Sequence, residues 1–324
     1  TNQECSLFMT DDLKYSLGAV LSALFAAAGL ILTEIAVRSL SVSVVEIAVG
    51  SNYVAGTMLL GWSAMRGGHR WTGWGRADWF RLVAGSVATF AAGFLLLYAS
   101  IGLVGTSKTS LLGRLETIFI VLLAVAFLKE RWTPRHWLAS MTALAGAVIV
   151  NFDPTAWSLD FGWGEGMAVT SALFFAAGII TLKSVLNRHS GPLVTGYGLM
   201  IGAVVLTPFL PALQGTATDV STPSVVLALL CSRGILLGLS WVTYNVAMQH
   251  IGASRSSVLF LSIGFLSILL QVTLDALAPG LGLQLPAHLD MAIVGGAVIC
   301  AGMYFVSTAP DPVPEENHDD LSRS

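Results

Sequence analysis

The sequence predicts an all-α integral membrane protein of ten transmembrane helices, arranged as two inverted five-helix repeats. Three observations predict it. Hydrophobic residues make up 55% of the 324, charged residues only 11%, and the mean hydropathy is +0.76, where an ordinary soluble domain carries roughly 25% charged residues. Ten apolar runs of near-spanning length are separated by short polar connections. Segments of the first half return in the second, in order and at nearly constant offset.

Crossing ~30 Å of hydrocarbon takes about 20 apolar residues. The runs are 15–32, 44–64, 79–101, 107–127, 137–151, 166–182, 193–213, 224–248, 256–274 and 289–307. The segment 1–14 is polar and acidic, without the basic start of a cleavable signal peptide, so the first run is expected to stay as a helix. Beyond Pro310 the acidic stretch Glu315-Glu316-Asn317-His318-Asp319-Asp320 is expected to be a disordered tail. The expected organisation is therefore a cytoplasmic segment 1–14, a first repeat 15–152, a second repeat 164–307 and a disordered cytoplasmic tail 308–324.

The basic residues orient the helices. With the N-terminus in the cytoplasm, Lys14, Arg66, Arg70, Arg76, Arg81, Lys129, Arg131, Arg135, Lys183, Arg188, Arg255 and Arg323 fall inside. Only Arg38 and Lys108 fall outside, as the positive-inside rule expects. Both termini are thus placed in the cytoplasm, and the cell membrane, as a bacterial inner membrane, is the expected location.

The repeat carries the most information. Ser22-Ala23-Leu24-Phe25 opens a segment that returns from Ser171-Ala172-Leu173-Phe174 and closes on Gly29 and Gly178, an offset of 149. Gly105-Thr106-Ser107-Lys108 returns as Gly252-Ala253-Ser254-Arg255, and Gly146-Ala147-Val148-Ile149 as Gly296-Ala297-Val298-Ile299. Five helices per repeat is an odd number, so the second half enters the membrane from the opposite side. Inverted repeats recur in secondary transporters, where one half rocks against the other.

The stretch 94–152 resembles the drug/metabolite transporter superfamily, in particular ten-helix exporters with tandem EamA-type domains. Tyr98-Ala99-Ser100, Gly105-Thr106-Ser107, Arg114-Leu115-Glu116-Thr117, the turn Leu128-Lys129-Glu130-Arg131-Trp132-Thr133, Trp137-Leu138 and Ala145-Gly146 carry the likeness. Lys129 and Ala139 stand where the family often has Gly, and Thr117 where it usually has Pro. The second half matches more loosely, with Asp275-Ala276-Leu277 in place of the Glu-Arg turn. The resemblance implies a secondary transporter, and specifically an exporter of small organic metabolites such as amino acids. Efflux of drugs or lipophilic cations is the alternative substrate class, and a channel or a membrane enzyme is a weaker reading.

Intramembrane charges are costly and mark candidate sites. Arg114 lies roughly 10 Å into the fourth helix and Glu116 ~13 Å, and Arg233 reaches a similar depth in the eighth. On regular helix geometry Arg114 and Glu116, two residues apart, project from nearly opposite faces. Glu116 is then expected to pair with Arg233, and Arg114 to reach toward Glu46. Tyr98, Trp241, Tyr244, Asn245, Tyr53 and Asn52 complete the candidate substrate cavity.

Trp71, Trp74, Trp79, Trp132, Trp137, Trp157 and Trp163 sit at helix ends, as interface anchors do. Ala84, Ala88 and Ala92 suggest a close helix approach, and Pro208 and Pro211 should bend the seventh helix. Cys231 and Cys300 are read as small buried hydrophobes. No metal pattern, no Gly-x-Ser-x-Gly and no nucleotide-binding domain is found, and Gly102 to Thr109 lacks the Gly that a phosphate loop needs before its Lys. The expectation is no enzyme, no cofactor and no nucleic-acid partner. A small solute and lipid are the expected partners. Substrate identity, direction, coupling ion and oligomeric state stay open.

Overall fold

The computed structural model describes residues 2–40, 42–65, 74–97, 99–100, 103, 112–128, 134–151, 162–210, 223–278 and 289–307, and among them the elements are helical. We name them α1 (Asn2–Leu40), α2 (Val44–Met65), α3 (Arg76–Ser86), α4 (Leu115–Leu123), α5 (Pro134–Asn151), α6 (Trp163–Leu186), α7 (Gly191–Leu206), α8 (Pro223–Ile251), α9 (Ala253–Phe260), α10 (Ile263–Leu277) and α11 (Leu289–Ser307). Among the described residues six stretches are long and apolar enough to cross a membrane, including Leu13–Thr33, Arg76–Leu97 and Ala253–Leu277; Leu115–Leu128, Trp137–Ile149 and Leu289–Phe305 are shorter apolar helices. Each apolar run expected from sequence contains described helix. The polar start is helical too: α1 has 39 residues, about 58 Å at 1.5 Å per residue, and only its middle is apolar enough to span.

The core is apolar, but it also holds small polar side chains, and large apolar side chains lie on the surface. Ser22, Ser86, Thr89, Ser171, Asn52, Thr195 and Asn245 lie within 2% exposure, whereas Phe80, Phe127 and Leu138 are more than 70% exposed. An apolar surface, with small and polar residues at the helix interfaces, is what lipid as solvent selects. Cys300 follows the same logic and is exposed, not buried as expected, with Cys231 half-buried: a small apolar thiol costs nothing in hydrocarbon.

The helices pack in antiparallel pairs: α1 on α8, α6 on α3, α2 on α7 and α5 on α11. Small residues set the spacing. A Cβ at Gly146 would meet the Ile299 backbone nitrogen at 2.6 Å and the Gly295 carbonyl at 2.7 Å, so α5 and α11 touch backbone to backbone. The stripe of small residues on α3 is displaced from the expected one. Ala84 is exposed, and Gly85, Thr89 and Gly93 form the buried face against Gly178 and Phe175 of α6. The spacing is still four residues, but α3 carries small residues on adjacent faces, and the face with glycine permits the closer approach. Along this contact α3 passes into π-helix at Val87–Gly93, and the hydroxyl of Ser171 donates to the freed carbonyl of Gly93 at 2.8 Å.

Near Pro208 the chain tightens into a 3₁₀ turn, Thr207–Phe209, at the end of α7. Between α8 and α9 there is no linker beyond Gly252, whose φ of 87° lies in the left-handed region that only glycine adopts readily. Pro211, Lys108 and the tail 308–324 lie outside the described residues.

Candidate functional site

Two helices break at related places. The fourth helical run turns at Arg114, which caps α4 with φ −66° and ψ −17°, and the Thr117 N–H bonds back to the Arg114 carbonyl at 3.2 Å. The ninth run turns at Leu261 and Ser262, between α9 and α10, where both N–H groups bond three residues back, to Val258 and Leu259. The Ser262 hydroxyl donates to the Leu259 carbonyl at 2.8 Å. Adding the repeat offset of 147 to position 114 gives 261. α4 and α9 pack on each other, so the two breaks lie side by side.

Between them is a small cavity of about 20 Å³, narrow in this closed arrangement, lined by Gly113, Arg114, Glu116, Thr117, Ile120, Tyr244, Ser257, Phe260 and Leu261. Glu116 stands in the first turn of α4, where the positive end of the helix dipole favours a carboxylate. Tyr244 projects from α8, 4% exposed, with its ring edge-on to Phe260 at 5.3 Å and to Trp241 at 5.9 Å; Trp241 in turn meets Phe90 at 4.8 Å. The result is a row of aromatic rings beside one acid and one guanidinium. A carboxylate finds an Arg partner there, and an ammonium group finds Glu or an aromatic face.

Arg114 and Glu116, expected on nearly opposite faces, both line this cavity, beside the tightened turn at Arg114. Arg233 is not among the lining residues: it lies between α8 and α1, its Nε donating to Thr33 Oγ1 at 2.8 Å and its guanidinium resting on Gly29. Glu46 serves the start of α2, accepting the Ser43 N–H at 3.3 Å.

The other candidates divide. Tyr244 lines the cavity, and Trp241 backs it. Asn245 donates to Thr195 Oγ1 at 2.7 Å and joins α8 to α7. Tyr53 bonds Thr207 at 2.9 Å. Asn52 is 1% exposed, its Nδ2 without a hydrogen-bond partner among the described residues. Tyr98 lies outside the described residues. Six lining residues were missing from the expectation: Gly113, Thr117 and Ile120, which neighbour Arg114 and Glu116 in the chain, and Ser257, Phe260 and Leu261, which sit where an offset of 147 carries Ser110, Gly113 and Arg114.

Comparison with known proteins follows the same geography. The model of the EamA-like transporter family matches residues 13–152 and 162–275. A protein of Streptantibioticus cattleyicolor whose name reads "Probable terminal-alkyne amino-acid exporter" is 29% identical over 214 residues, 63% of this chain and 65% of that protein. A riboflavin transporter of Rhizobium johnstonii is 31% identical over 201 residues, 61% of this chain and 60% of its own length. The matches thus span somewhat less than two thirds of each of these two relatives. A crystal structure 18% identical in sequence superposes with a TM-score of 0.75 over 94% of this chain and 99% of its own, which shows a shared fold.

Proposed function

The chain belongs to the EamA-like transporter family, and from that premise we propose that it moves small zwitterionic or otherwise amphipathic metabolites, such as amino acids, by alternating access. Family and relatives are transporters of small molecules in membranes, not enzymes. The observation that carries the substrate class is the cavity between the paired helix breaks, with Arg114, Glu116 and Tyr244 on its wall. Interrupted helices at corresponding positions of two halves are the structural pointer to a transporter's binding site.

Ten crossings in two inverted repeats are part of this proposal, and the packing supports them. The pairs α1–α8 and α6–α3 correspond under the repeat, as do α2–α8 with α7–α3 and α1–α10 with α6–α4. The repeated serines agree: Ser171 meets Gly93, and Ser22 meets Ser240, which is Gly93 advanced by 147. Both termini in the cytoplasm and export from the cell complete the reading.

The test is flux of labelled amino acids into proteoliposomes, wild type against Arg114→Gln and Tyr244→Ala at equal folded protein. Saturable flux lost in both variants supports the cavity. Transport of lipophilic cations or riboflavin but of no amino acid replaces the zwitterion reading.

A further inference from the structure

A charged and aromatic cluster outside the cavity joins the two halves at one end of the bundle. Asp78, in the first turn of α3, is 4% exposed. Its carboxylate takes Arg188 Nη1 at 3.3 Å and His189 Nε2 at 3.4 Å, both from the turn between α6 and α7. Trp74 stacks on the His189 ring at 3.9 Å and 15°, and packs on Trp79 at 5.1 Å. Both indoles also reach Tyr197 of α7, at 6.3 and 5.9 Å. Gln249, at the end of α8, donates to the carbonyls of Leu186 and His189 and holds the turn in place. These two tryptophans face the second half, a role beyond the interface anchoring expected of them.

The repeat puts a different chemistry at the other end. Gly85 abuts Gly178 as Arg233 abuts Gly29, which equates positions 85 and 233 and places Val226 where Asp78 stands. The offset of 149 places Ser39 and Leu40 where Arg188 and His189 stand. The side chains packed at that corner are Ala36, Val42 and Ile47 with Val226, Leu229 and Leu230. One end therefore carries an ion pair under stacked rings, whereas at the other the described side chains include an aliphatic cluster.

We propose that Asp78, Arg188 and His189, covered by Trp74, form the gate of the cytoplasmic end, closed as seen here and separated when the cavity opens to that side. The inference rests on the alternating-access reading and the orientation given above. A charge-assisted contact is directional and is lost over a short displacement, which suits a contact that must be either made or broken. Aliphatic packing has no such directionality. Because Arg188 is 62% exposed, its attraction to Asp78 weakens as salt screens it, so this gate is expected to be salt-sensitive.

The test reads opening without any substrate. A cysteine at Ser257, on the cavity wall, is alkylated by an impermeant maleimide from each face separately, in oriented vesicles and with the native cysteines replaced. Asp78→Asn is expected to raise labelling from the cytoplasmic face about five-fold and to lower it from the other. Raised salt on the protein with Asp78 intact is expected to move labelling the same way, which covers an Asn variant that fails to fold; Trp74→Phe is a milder second variant. Rates unchanged by salt and by both variants overturn the gate, as do rates raised equally from both faces. Labelling that is equal from both faces under every condition overturns alternating access itself, whereas absent amino-acid flux with the expected labelling overturns only the substrate assignment.

Discussion

Arg114 and Glu116 are two residues apart and yet line one cavity. The tightened turn at Arg114, where the Thr117 N–H bonds three residues back, narrows the angle between them about the helix axis. The pair places opposite charges at a helix N-terminus inside the membrane, where neither is tolerated without compensation.

Coupling between these two should be measurable. In a cycle of Arg114→Gln and Glu116→Gln, followed by thermal unfolding in detergent, we expect the double variant to lose less than the sum of the singles, by about 1–3 kcal/mol. The cycle of Glu116→Gln with Arg233→Gln is expected to be additive to within about 0.5 kcal/mol. A large coupling in the second and none in the first would reverse the assignment.

Glycine positions should separate sharply. At Gly146 an added methyl meets backbone atoms of α11 that cannot turn aside, so Gly146→Ala is expected to destabilise by about 1–3 kcal/mol. Around Gly61, on α2, nothing lies within 4 Å of the place a methyl would take, and Gly61→Ala should be neutral or stabilising by up to ~1 kcal/mol. Equal effects on the unfolding midpoint would contradict the close approach of α5 and α11.

Loss of one hydroxyl tests the π-helical stretch. Ser171→Ala removes the donor to the Gly93 carbonyl, and a cost of roughly 0.6–1.7 kcal/mol is expected, the range of hydrogen bonds inside membranes. Ser171→Thr, which keeps the hydroxyl but adds a methyl, distinguishes lost bonding from lost packing. No change in midpoint for Ser171→Ala would mean that this carbonyl needs no side-chain donor.

Orientation is open to labelling in intact cells. Cysteines at Ser158 and Thr218 should react with an impermeant thiol reagent, and one at Gly68, amid Arg66 and Arg70, should not. Reaction at Gly68 from outside would invert the assignment.

Much of this was legible in the amino-acid order because lipid imposes a simple demand. A chain must satisfy its backbone within each span, so runs such as 166–182 announce a helix by composition alone. Ser22 and Ser171 stand in similar sequence segments, and each hydrogen-bonds across to a facing helix, at Ser240 and Gly93. The breaks were not visible. Leu261-Ser262 has neither Pro nor Gly, and at Thr117 the proline usual in the family is missing, so only Gly113 marks either turn locally. Depth alone could not show that Arg233 turns toward Thr33 and Gly29 of α1. Asp78 and His189, 111 residues apart, meet only through the packing of α3 on α6 and α7, which no local pattern encodes.

Gly252 leaves α8 and α9 no slack. Tyr244 and Phe260 touch across that corner, so a displacement of one helix is handed to the other like the throw of a crank. On the alternating-access reading proposed above, selection of a solute at the aromatic wall and the stroke that carries it are adjustments of a single lever, so a change at position 244 or 260 is expected to alter both.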